Sequence, residues 1–231
     1  LTPDEVDQMR AMYGLDEPIY VQYIKYIQNL FTFQFGISLT QQRPVGNIII
    51  PALVNTMVLL LPALIATAIV SSLAGMYAGW NRGSWFEQSS IVITTVFRAT
   101  PIFVTGIFLL IIFSYGLGWL PAFGMRSALA NPDGYLDTYL SVDFLKHYIL
   151  PFSATVLFYS GDFLMLARNS VVERMGSEFL MLHRAKGLSE MEQLGRAGRN
   201  SLLPLVTYFA LRTGMLFQGV ITLEVVFAWP G

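Results

Sequence analysis

Three ionised side chains interrupt long apolar runs of this chain: Arg98, Asp162 and Arg212. Counting about ten residues into each run at ~1.5 Å per residue puts both arginines near 15 Å depth if the runs cross a bilayer. A charge facing lipid there costs at least about 2.5 kcal/mol, so these residues must face a bundle interior or a wet cavity. In that setting they pair with one another, or they attract a carboxylate or a hydroxyl-rich solute. Asp162 lies shortly before Arg168, nearer the end of its own run, and one acid does not neutralise two arginines. Other chemistry is scarce. There is no cysteine, which removes disulfides, thiol chemistry and Cys-based metal sites. The two histidines, His147 and His183, match no metal spacing. No Gly-rich phosphate loop occurs, so the chain does not bind ATP by that device. An intramembrane enzyme would need a Ser/His pair, paired aspartates or a His-rich metal set within the apolar runs, and none is present.

The second region with chemical potential is the polar, basic stretch 168–201. A turn between two membrane helices needs only a few residues, so its length asks for a purpose. Its middle reads His183-Arg184-Ala185-Lys186-Gly187-Leu188-Ser189. Gly187 suits a left-handed helix C-cap, and Ser189 with Glu192 makes a capping box for the next helix. The pattern predicts a helix–glycine–helix elbow opening near Glu178, a rigid lever on which a soluble partner could push. A folded tie between two spans is the plainer reading of the same residues.

The elements that must hold these residues are apolar helices. Of 231 residues, 54% are hydrophobic and only 13% charged, with mean hydropathy +0.54. Soluble domains carry about a quarter charged residues. No charge occurs between Arg43 and Arg82, or between Arg98 and Arg126. The expected fold is therefore all-α, a polytopic transmembrane bundle. Residues 1–47 read as an extracytoplasmic helical segment and 48–231 as the membrane domain, with spans at about 48–79, 88–115, 148–167 and 202–226. In the first segment, Thr2-Pro3-Asp4-Glu5 reads as a helix start that Gly14 ends. A second helix follows Pro18, with Ile19, Tyr23, Ile27 and Leu30 on one face, read as a cap packed on the membrane domain. The connections 80–87 and 168–201 carry seven of the fourteen cations against five for 1–47 and 116–147, which instead hold eight of the fifteen acids. The positive-inside rule then makes 80–87 and 168–201 cytoplasmic. Trp80, Trp85, Trp119 and Trp229 fall at segment ends, as an interfacial belt would have them. Net charge is −1, and nothing points to nucleic acid. The ends, Leu1 and Gly231, read as cut, so that the chain is expected to be the interior of a longer one.

Arg184-Ala185-Lys186-Gly187-Leu188, followed by Asn200-Ser201-Leu202-Leu203-Pro204-Leu205-Val206-Thr207, resembles the "EAA" loop of ABC importer permeases, in its dipeptide/oligopeptide version. Tyr13-Gly14-Leu15-Asp16-Glu17-Pro18, Phe35-Gly36-Ile37-Ser38, Asn55-Thr56, Trp119-Leu120-Pro121, Leu150-Pro151 and Glu224-Val225-Val226-Phe227-Ala228-Trp229-Pro230-Gly231 are similar to further motifs of that family, in order. Departures stand at Met181, Leu182 and His183, at Gln34, and at Arg98-Ala99-Thr100-Pro101.

The resemblance implies a six-span subunit, four spans of it visible here, in the cell membrane of a prokaryote and in contact with membrane lipid. It implies a second homologous permease, two cytoplasmic ATPases that carry the ATP and Mg, and an extracytoplasmic solute-binding protein. The subunit itself would bind no cofactor. It would form half of a pathway for peptides, or for oligosaccharides or nickel as in relatives. Glu178, Arg184, Ala185, Lys186, Gly187, Leu188, Ser189 and Glu192 would form the coupling loop. The competing reading is an ion-coupled secondary transporter, which would place acids near the midplane; Asp162 is the one acid well inside a span.

Overall fold

The computed structural model describes Arg10 and residues 15–128, 134–215 and 220–231, without the side chains of Tyr135, Leu136, Phe179, Arg184 and Asn200. The helix read at Thr2-Pro3-Asp4-Glu5 and closed by Gly14 lies outside the described residues but for Arg10, as does the Tyr13-Gly14 end of its motif. The chain divides into two units, Leu1–Leu53 and Val54–Gly231.

In the first unit, helix α1 (Ile19–Phe31) begins after Pro18. Proline fixes φ and has no N–H to satisfy, so it suits a helix start. The Gln22 side chain donates to the Glu17 carbonyl at 2.7 Å, and Lys25 pairs with the Glu17 carboxylate at 2.7 Å. No residue of α1 is buried, and Ile19 and Tyr23 stand exposed. Phe35-Gly36-Ile37-Ser38 forms a reversal in which Gly36 takes φ +74° and Ile37 bridges Pro44.

Apolar helices dominate the rest of the chain. Helix α2 (Gly46–Trp80) runs unbroken through Pro51 and Pro62. Helix α3 (Trp85–Ala99) starts on Ser84, whose hydroxyl accepts from the Glu87 N–H at 3.2 Å. Helix α4 (Ile102–Leu109) continues into a π-helical segment, Leu110–Gly116. Between α3 and α4 the axis turns by 107°. Pro101 causes the break: it donates nothing to the preceding turn and pushes Thr100 to an extended φ −86°, ψ 128°. After α5 (Tyr135–Leu140) comes α6 (Val142–Met175), capped by Ser141 and carrying Pro151 inside. The chain ends in α7 (Glu178–Ala185), α8 (Glu190–Asn200), α9 (Leu202–Gly214) and α10 (Val220–Phe227).

Helix α6 is the axis of the second unit. Half of its most apolar stretch is buried, against a third for α2. Glycines let neighbouring backbones touch it, the usual device where lipid removes the hydrophobic drive between helices. A Cβ on Gly75 would overlap the Leu164 carbonyl, and one on Gly79 would lie 2.7 Å from the Arg168 carbonyl. From α6 itself, a Cβ on Gly161 would stand 3.0 Å from the Thr94 carbonyl of α3. Leu59, Leu60, Leu64, Phe163 and Leu223 fill the buried interior.

Of the four segments, α2 and α6 are single helices long and apolar enough to cross a membrane, the second is the bent pair α3–α4, and the fourth is split into α9 and α10, with 216–219 outside the described residues. Arg98 lies in the last turn of α3, directly before the bend.

Candidate functional site

The elbow at 178–200 is built mainly from its own residues. Helix α7 opens at Glu178 and closes at Ala185, after the Arg184 backbone. Lys186 comes next, donating its N–H to the Leu182 carbonyl at 3.1 Å, and the Leu188 N–H reaches the His183 carbonyl at 3.2 Å. Gly187 makes the reversal at φ +72°, where a Cβ would touch nothing within 4 Å. The capping box is closed in both directions: the Glu192 carboxylate accepts from the Ser189 N–H at 2.9 Å and from its hydroxyl at 2.7 Å, and the Ser189 oxygen accepts from the Glu192 N–H. Those two Ser189 donors, the hydroxyl first, hold the Glu192 carboxyl below its usual range.

The elbow is also rigid across its limbs. Gln193 of α8 donates to the Leu188 carbonyl at 2.7 Å, and Arg196 lies 3.0 Å from Nε2 of His183. Leu180, Ala197 and Ser201 are fully buried, and Gly198 packs against the Met76 sulfur of α2. The outer face is apolar and open: Met181, Leu182 and Met191 are all exposed, Met191 to 75%. His183, read as a departure from the family pattern, thus joins the two limbs of the elbow.

Within the bundle the structure brings Arg98, Asp162 and Arg212 together. Arg98 Nε sits 2.8 Å from Asp162 Oδ1, and Arg212 Nη2 sits 2.5 Å from Oδ2. Tyr208, one turn before Arg212 on α9, donates to Asp162 Oδ2 at 2.5 Å and accepts from Arg212 Nε at 2.6 Å. The Arg212 guanidinium also lies over the Tyr159 and Tyr208 rings, at 5.6 and 5.2 Å. Asp162 therefore pairs with both arginines and ties α3, α6 and α9. Its side chain is 9% exposed, that of Arg212 30%, and that of Arg98 58%.

Two further polar clusters join residues far apart in the sequence. Glu87, buried at the start of α3, accepts from Arg168 Nε and Nη2 at 2.8 and 2.6 Å and from the Gly83 N–H at 2.5 Å. The other joins two motifs from opposite ends of the membrane domain. Thr56 donates to Glu224 at 2.6 Å, Asn55 donates to the Pro230 carbonyl at 2.7 Å, and Trp229 Nε1 donates to the Asn55 carbonyl at 3.0 Å. Trp229 is accordingly buried, packed near Phe144 and Tyr148, and is no part of an interfacial belt; Trp85 and Trp119 remain exposed. Both halves of this lock are legible in the sequence as motifs, but their pairing is a tertiary fact.

Residues 71–231, which hold the elbow, the charged cluster and Glu224 through Gly231, match the family model described as the binding-protein-dependent transport system inner membrane component. The chain belongs to this family. The permease is 33% identical to the dipeptide transport system permease protein of Alkalihalophilus pseudofirmus, over 100% of its own length and 73% of that relative's. It is 32% identical to the glutathione transport system permease protein of Shigella flexneri, over 98% of this chain and 69% of the other. It shares 32% with the di/tripeptide transport system permease protein of Pseudomonas aeruginosa, over 94% and 68%. It is thus a multi-pass membrane protein of a prokaryote, the transmembrane subunit of an ABC-type importer. As a permease component it is not itself the catalytic part of its system, and it works with other subunits.

Proposed function

We propose that this permease forms half of a translocation pathway for short peptides and that its 168–201 segment receives the stroke of cytoplasmic ATPases. The observation that carries the reading is the elbow: a capped, cross-braced pair of short helices whose inner residues are buried and whose Met181, Leu182 and Met191 face outward. An apolar, rigid projection is what a partner needs in order to push without losing the motion in a soft loop. Orientation follows from charge, with 80–87 and 168–201 in the cytoplasm and 1–47 and 116–147 outside. Two ATPase subunits would hold ATP and Mg, a second permease of the same family would complete the pathway, and an external binding protein would deliver solute. The peptide class rests on what the dipeptide, di/tripeptide and glutathione permeases named above are said to carry.

Reconstitution tests it. The permease should copurify with ATPase subunits, and vesicles holding the full assembly should take up di- or tripeptides only with ATP and the binding protein present. Uptake driven by an ion gradient without ATP would overturn the reading in favour of a secondary transporter.

A further inference from the structure

The geometry points to Arg98 as a recognition point for a solute carboxylate on the translocation path, held in aim by Asp162. This rests on the peptide-importer reading and names the group of the solute that is recognised.

Three observations carry it. The cluster has two guanidinium groups and one carboxylate, so one positive charge is left over within the bundle. The surplus falls on Arg98, because Arg212 is engaged by Asp162, by the Tyr208 hydroxyl and by two aromatic rings. Among the described residues, the Asp162 pair is the one polar contact of the Arg98 side chain, and it is made through Nε. A guanidinium presents five N–H donors in a planar fork, and a carboxylate takes two of them side by side. With Nε nearest to Asp162 and the terminal nitrogens in no hydrogen bond among the described residues, that edge is open to a second carboxylate, and the side chain is 58% exposed.

The position supports the same role. Arg98 stands in the last turn of α3, just before the 107° bend at Thr100-Pro101. Broken helices at membrane depth are tolerated where they are buried in protein or line a water-filled cavity. An exposed arginine at such a break fits the cavity, since lipid would reject it. Gly161 lets α3 approach α6 closely enough for the pair to form: a Cβ there would meet the Thr94 carbonyl at 3.0 Å and the Arg98 Cβ at 3.5 Å. Asp162 is then a positioning residue, which aims the guanidinium without itself touching solute.

The test compares a dipeptide bearing a free C-terminal carboxylate with its C-terminal amide, in proteoliposomes holding the whole importer and saturating binding protein. The acid should be carried faster by the native importer. Arg98→Gln should narrow the acid-to-amide ratio by about tenfold or more, the loss expected for one charge-assisted bidentate contact. Arg98→Lys keeps the charge but not the fork and should fall between the two. If Arg98→Gln fails to assemble, Arg98→Lys decides alone, and an unchanged ratio in it overturns the inference. Equal loss for acid and amide in Arg98→Gln would mark the residue as structural and overturn it as well. So would a native importer that carries both forms equally. A native importer that carries neither form overturns the peptide reading and this inference together, which separates the two failures.

Discussion

The bundle and the elbow are held together in opposite ways. In the bundle, polar side chains find partners far along the chain: Arg168 reaches Glu87 across 81 residues, and Arg212 reaches Asp162 across 50. In the elbow the same kinds of group are satisfied at short range, Ser189 with Glu192 three residues on, Leu188 with Gln193 five on, His183 with Arg196 thirteen on. The bundle therefore exists only once its helices have met, whereas the elbow carries most of its own instructions. A lever should be built this way. On the proposed function it would keep its shape while the helices behind it change their packing, so that a push on Met181 or Met191 would be transmitted rather than absorbed.

The largest effect is expected from cutting a long-range tie. Arg168→Met would leave the Glu87 carboxylate buried with only the Gly83 N–H as partner. Breaking one side of a buried pair costs about 3–5 kcal/mol, and replacing both sides is far milder. Thermal stability of the purified permease should fall sharply in Arg168→Met and recover largely in the double variant Glu87→Gln/Arg168→Met. Equal stability of the single and double variants would deny the pair its role.

A smaller and more local effect is expected in the elbow. At Gly187 a Cβ would meet nothing, so Gly187→Val acts through the backbone alone, at about 1–2 kcal/mol for a branched residue at φ +72°. The bundle should keep its stability while recovered ATPase and uptake both fall. A matching loss of bundle stability would erase the contrast between the two regions.

The smallest concerns pH. The Glu192 carboxyl is held below its ordinary value of 4.5 by the Ser189 hydroxyl and N–H. A carboxyl with a lowered folded-state pKa stabilises fully above the unfolded value and loses that contribution as pH falls through the folded one. Amide exchange at the start of α8 should thus be unchanged from pH 7 to 5 (after correction for intrinsic rates) and quicken below about 4.5. Glu192→Gln, which keeps a capping side chain but no charge, should remove that dependence; a persistent one would assign the effect to another group.

The same contrast explains which features the sequence makes legible. Gly187 as the turn and Ser189 with Glu192 as the cap were legible because each rule spans a few residues. The apolar helices are legible from charge-free runs, whereas the 107° bend at Pro101 falls inside a run that reads as one span. The meeting of Asp162 with both arginines is not legible, because it depends on how α3, α6 and α9 pack against one another, which no local pattern encodes. Asn55-Thr56 and Glu224 through Gly231 were each recognised as motifs, yet their contact depends on packing that no local pattern encodes. Glu87 escaped notice for the same reason: its partner is 81 residues away.

The central claim is that the outer face of the elbow meets the ATPase, and the absence of native cysteine allows a direct measurement. Met191→Cys, at a position 75% exposed at the start of α8, should crosslink to an ATPase subunit in the assembled importer when a short bifunctional thiol reagent is added from the cytoplasmic side. The crosslink should form in good yield and stop ATP-driven uptake. Reaction of Met191→Cys only with reagent added from outside, or labelling without any crosslinked ATPase in an importer that still transports, would contradict the account.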